Sequence, residues 1–114
     1  TPFDFNEPRR IGSIQLDTCF GGLVPGDDRR AVPRLADPAN GRSVELWVDD
    51  AYRYLMVYTG DGVGRPERRR RAIAIEPMTC PPDAFRSGMD LIELEPAESW
   101  RGTWGIRADS PNVG

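Results

Sequence analysis

SVELWVDDAYRYLMVYTG, residues 43–60, carries two runs separated by a short polar link, the first alternating aliphatic with polar or aromatic side chains and the second alternating aliphatic side chains with tyrosine and methionine. Successive side chains of a strand point to opposite faces, so a period of two marks a half-buried sheet strand. Over 43–49, Val44, Leu46 and Val48 share one face and Glu45, Trp47 and Asp49 the other. Over 54–59, Leu55 and Val57 face one way and Tyr54, Met56 and Tyr58 the other.

Upstream, ADPANGR at 36–42 is dense in turn residues, and Asn40-Gly41 is the strongest two-residue hairpin signal in the chain. It joins an expected strand at 31–35 to the one at 43–49. A further short strand is expected at 13–16, with Ile14 and Leu16 inward, Gln15 and Asp17 on the opposite face, and glycines and a proline at 21–26 to break it. Downstream, GDGVGRPERRRR at 60–71 reads as a loop that delivers the chain to AIAIEP at 72–77. There Ile73 and Ile75 share one face, and Ala72, Ala74 and Glu76 the other. Pro77 removes the next ladder donor, so this strand is expected to end on Glu76, beside two small side chains.

Two more strands are expected at 91–94 and 99–106, the second with Trp100, Trp104 and Ile106 on one face, and PPDAFRSG at 81–88 holds one short helical turn at most. Short strands separated by turn signals predict an all-β fold, an antiparallel β-sandwich. Residues 1–11, proline-bounded and charged, read as a connecting arm, 12–108 as the sandwich portion and 109–114 as a tail.

A chain of 114 residues is long enough for one core that buries something over ~60% of the unfolded surface. Glycine and proline make up about a fifth of it, which favours a loop-rich β protein over a helical bundle. All fifteen basic residues are arginine and the net charge is −3. That balance disfavours a general nucleic-acid or anionic-membrane binder, both of which need a positive surface. The run Arg68 to Arg71 lacks interleaved aromatics and reads as a solvated loop. Cys19 and Cys80 have no metal-ligand spacing and no histidine to complete a zinc site, so they read as two reduced thiols of a cytoplasmic protein. Asp49 and Asp50 are adjacent strand residues that point to opposite faces, so no metal is expected there, and no other cofactor is called for. No apolar run approaches the ~18 residues of a membrane span, and TPFDFNEPRR lacks the apolar centre of a signal peptide.

LDTCF at 16–20, ELWVDDAYRYLMVYTG at 45–60, IAIEPMTCPPDAF at 73–85 and LEPAESWRGTWGI at 94–106 together resemble the aldose 1-epimerase (galactose mutarotase) family. The resemblance runs from about Pro2 to Ile106 and corresponds to the carboxy-terminal portion of a family member. It implies a part of a large antiparallel supersandwich that interconverts the α and β anomers of a free aldohexose such as galactose or glucose. Glu76 in IAIEP matches the family's catalytic base, and Asp17 in LDTCF matches an aspartate that hydrogen-bonds sugar hydroxyls. Met56 falls where some members carry a glutamine that touches the sugar, a donor that a thioether cannot replace. Tyr58, with Tyr54 and Trp47, offers ring faces that suit sugar C–H groups or a core.

Mutarotation needs a base for the C1 hydroxyl and an acid for the ring oxygen. A glutamate, with a reference pKa of about 4.3, supplies the first. The resemblance places the family's catalytic histidines upstream, and this sequence contains no histidine. The chain, which begins at Thr1 and not at methionine, is therefore expected to be an excised portion whose partner is the missing amino-terminal segment or a second copy. The alternative is a non-catalytic carbohydrate-binding sandwich. Part of a sandwich exposes strand edges and an apolar inner face, so self-association is expected.

Overall fold

A computed structural model describes residues 4–109. Seven strands form two antiparallel sheets: β1 (Asp17–Phe20), β2 (Arg30–Ala31), β3 (Arg34–Ala36), β4 (Ser43–Asp49), β5 (Tyr54–Tyr58), β6 (Ala74–Met78) and β7 (Trp104–Asp109). One sheet has the order β1-β5-β6, and in the other β2 and β3 pair one edge of β4 while β7 pairs the opposite edge. Among the described residues the helical content is a 3-10 turn at Pro66–Arg68 and a single α turn, α1 (Ala84–Ser87), within the PPDAFRSG segment.

The alternation over 43–60 becomes the core. Leu46 and Val48 of β4 meet Leu55 of β5, with Ala31, and Leu23, Tyr52 and Ile75 pack around them. This contact between the two sheets makes the fold a β-sandwich. Leu55 is 5% exposed and Val48 fully buried. Trp47 lies on the outer face of the second sheet, where Gly105 stands opposite it, and a Cβ at Gly105 would press into the indole ring. The Arg30 guanidinium covers that ring at 4.0 Å, so Trp47 is committed to packing and to a cation–π contact.

Several elements differ from the sequence expectation. The first strand runs over Asp17–Phe20 instead of 13–16. Ile14 closes a turn onto Ile11, and Leu16 spends both its backbone groups on Thr59. The 31–35 strand is split by Pro33 into β2 and β3, both of which pair with β4. The Asn40-Gly41 signal does mark the link to β4, but not as a two-residue turn. Asp37 bonds Arg42, and Gly41, at φ 71°, bonds back to Asp37. Pro77 does not end its strand: Glu76 is the middle residue of β6, and Pro77 sits opposite Leu55. β6 is an edge strand, where proline's missing donor disrupts no ladder on the free side. Residues 91–94 form no strand. Trp100 precedes β7 and packs edge-on against Tyr52, leaving Trp104 and Ile106 to share a strand face. Of the arm, residues 4–11 form no strand or helix, and Phe5 packs edge-on against Phe20. Of the tail, residues 110–114 lie outside the described residues.

The core is thin. Among the described residues, the buried apolar side chains are Leu16, Ala31, Leu46, Val48, Leu55 and Ala84. The register of β4 with β7 puts Val44, Trp104 and Ile106 on the same inner face as Leu46 and Val48. Those three are 40%, 50% and 65% exposed. The inner face of the four-stranded sheet therefore extends beyond what the three-stranded sheet covers.

Candidate functional site

Directly opposed residues of an antiparallel pair share a sheet face, so the register alone assembles the site. Asp17 of β1 stands opposite Tyr58 of β5, which stands opposite Ala74 of β6. One step along, Cys19 stands opposite Met56, which stands opposite Glu76. Tyr54 and Met78 form a third pair on this face. The four candidate residues Asp17, Met56, Tyr58 and Glu76 thus lie on one face of the β1-β5-β6 sheet, the face turned away from Leu55 and the core. Ala74 is beside Tyr58 as a small neighbour, whereas Ala72 precedes β6. Trp47, on the other sheet, is not among them.

Asp17 and Glu76 are exposed, while Met56 and Tyr58 are half-buried between them. Two strand spacings and a two-residue offset put the Cα atoms of the two carboxylates about 12 Å apart, a separation that their side chains and one pyranose ring can bridge. Glu76 enters no ion pair or side-chain hydrogen bond among the described residues, so its oxygens are available. The Tyr58 hydroxyl accepts a hydrogen bond from the Gly62 amide at 2.9 Å, which fixes its ring on the face.

The margins of the face are tied down. The Tyr54 hydroxyl donates to Asp90, a bond that pushes its pKa up, and Arg53 pairs with the same carboxylate at 3.3 Å. Gly21, opposite the Tyr54 ring at the end of β1, leaves room for it: a Cβ there would lie 3.2 Å from the ring. Burial, and then the nearby Cys80, push the Cys19 thiol up, so it stays protonated at neutral pH and is a poor nucleophile. Both cysteines are free and half-buried.

Two open clefts, of about 290 and 410 Å³, lie away from the four candidate residues, the first reaching the margin of their face at Tyr54. The first is lined by Leu23, Tyr52 and Tyr54 among others, the second by Arg53, Asp90 and Trp100, and neither includes Asp17, Met56, Tyr58 or Glu76. The carboxylate face is an open platform within the described residues. Among those residues no three His, Cys, Asp or Glu side chains cluster as metal ligands, and no helix is long and apolar enough to cross a membrane.

Sequence reasoning missed the use made of the arginine run. Arg69 donates to the Val63 carbonyl at 2.8 Å, and Arg70 binds Asp61 and two carbonyls ahead of β1. The only signal in the sequence was the proximity of Asp61 to the run, which does not show which strand start the side chain meets.

A sequence model of the aldose 1-epimerase family matches residues 1–107. Among curated proteins, the uncharacterized protein YihR of Escherichia coli K12 is 37% identical over 98 residues, covering 86% of this chain and 28% of that protein. The chain therefore spans under a third of the length of the curated relative it matches. No solved structure matches it.

Proposed function

The chain belongs to the aldose 1-epimerase family, and on that premise we propose that it supplies the general base of a mutarotase acting on a free aldohexose. Glu76 takes the C1 hydroxyl proton while an acid protonates the ring oxygen, the C1–O5 bond opens, and reclosure on the other face of C1 gives the second anomer. Asp17 accepts hydrogen bonds from sugar hydroxyls, Tyr58 lays its ring against sugar C–H groups, and Met56 packs between the two carboxylates. The observation that carries this reading is the common face of Asp17, Tyr58, Met56 and Glu76 on the β1-β5-β6 sheet.

The acid comes from outside the chain, which has no histidine. The open platform at the carboxylates and the uncovered inner face at Val44, Trp104 and Ile106 both fit a portion of a larger sandwich whose remaining strands wall the site. By itself the chain is expected to self-associate through that face and the β7 edge. Light-scattering chromatography at increasing concentration is expected to show dimers or larger species, and a sharp monomer peak at high concentration would count against the uncovered face.

Titration of galactose and glucose into the labelled chain, followed by NMR, tests the site. Shifts confined to Asp17, Met56, Tyr58, Glu76 and their neighbours, lost on Asp17→Ala, are expected. Absence of binding to any aldose, or shifts at Trp100 and Asp90 instead, would overturn the assignment. The missing histidines favour a second reading, in which the chain binds monosaccharide but leaves the rate of anomer equilibration at its buffer value.

A further inference from the structure

Asp17 and Tyr58 are each the immediate neighbour of a residue in one hydrogen-bonded clamp. Leu16 donates its amide to Thr59 Oγ1 at 2.9 Å and accepts the Thr59 amide at 2.9 Å, locking the start of β1 to the end of β5. Thr59 is 5% exposed. Its hydroxyl lies against Asp61, whose carboxyl is held below the usual carboxylate range by that hydroxyl and then by Arg70.

Arg70 closes the arrangement. Its Nη1 donates to Asp61 Oδ1 at 2.7 Å and to the Ile14 carbonyl at 3.2 Å, and its Nη2 donates to the Gly12 carbonyl at 2.8 Å. The side chain is aimed by backbone in the left-handed region, φ 60°, with the Arg70 amide bonded to the Gly60 carbonyl at 3.3 Å. A non-glycine residue in that region carries a local backbone penalty, so the loop holds Arg70 in this orientation against it. The guanidinium is a planar fork that meets two carbonyls and a carboxylate at once, which an ammonium on a flexible stem does less well.

We propose that Arg70 is a positioning residue for the sugar-binding face. It fixes residues 12–16 against the 59–62 turn and so sets where Asp17 and Tyr58 stand relative to Glu76. The inference rests on the reading of that face as the aldohexose site. It acts through the backbone, since the contacts of Arg70 are with Gly12, Ile14, Gly60 and Asp61.

The experiment uses this chain, with Arg70→Met to keep the stem and remove the fork, Arg70→Lys as the conservative variant, and Asp61→Asn to cut the clamp from its other side. Two readouts are taken: galactose and glucose affinity by NMR titration, and amide hydrogen exchange by residue. Arg70→Met and Asp61→Asn are expected to weaken sugar binding by about tenfold or more, as misplacement of a binding group does, with Arg70→Lys recovering part of it. Exchange is expected to rise at Leu16 and Thr59 while the Val48 amide stays protected. Unchanged affinity in folded Arg70→Met overturns the proposal, and so does faster exchange spread evenly to Val48, which is a general loss of stability. If Arg70→Met does not fold, Asp61→Asn and Arg70→Lys decide by the same criteria. If the unmodified chain binds no aldose, the reading of the face fails. The clamp is then judged by exchange alone, slack confined to 12–17 and 58–62 supporting it and no local change overturning it.

Discussion

Replacing Glu76 with glutamine is expected to lower the rate of anomer interconversion by about 10²–10⁴-fold, the usual contribution of a positioned general base. The setting is a protein that carries both this chain and the acid-bearing portion of the family. Glutamine is nearly the same shape but cannot take a proton at neutral pH. Because Glu76 is exposed in the middle of β6 and enters no ion pair or side-chain hydrogen bond among the described residues, the substitution removes no stabilising contact. Sugar affinity is therefore expected to change little while the polarimetric rate collapses, a loss confined to the chemical step. A variant that equilibrates α-galactose at the unmodified rate would remove Glu76 from the mechanism.

Leu55→Ala is expected to be the most damaging substitution to stability. Leu55 is 5% exposed on the central strand of the three-stranded sheet and packs on Leu46 and Val48 of the other sheet. Truncation of a buried leucine costs about 2–5 kcal/mol through lost burial and the cavity left behind. With total stabilities of about 5–15 kcal/mol for ordinary domains and few buried apolar residues here, that is a large share of the whole. Thermal unfolding by circular dichroism should show Tm lowered by something on the order of 10 °C or more. Val44→Ala, on the same inner face of β4 but 40% exposed, is expected to cost well under half as much. That ratio applies to the dilute monomer; at concentrations where the inner face self-associates Val44 becomes covered and the two losses converge, and equal losses in dilute monomer would contradict the uncovered face.

β4 and β5 were legible because their alternation is local and each has one buried face, so that a slip of one residue would turn Leu46, Val48 and Leu55 to solvent. The common face of Asp17, Met56, Tyr58 and Glu76 was legible in part, since the parity of each strand followed from its pattern. The placing of one strand's parity beside the next depends on register, which β1, β5 and β6 acquire only on pairing. For the same reason 91–94 misled: its alternation is short and no partner strand meets it. Pro77 misled because its effect differs between an edge and a central position, and strand order is not a local property. The Arg70 clamp was invisible, because Gly12 and Ile14 lie far from Arg70 in sequence and offer only backbone carbonyls, which every residue has.

The central claim, that this chain carries the base half of a mutarotase site, is tested most directly by polarimetry of freshly dissolved α-D-galactose and α-D-glucose. The chain is assayed alone and together with the amino-terminal portion of a family member, with the mixture shown to be folded. The account predicts a buffer rate for the chain alone and a faster equilibration for the mixture. A folded mixture that equilibrates at the buffer rate, or a chain that accelerates equilibration equally well without its partner, would contradict it.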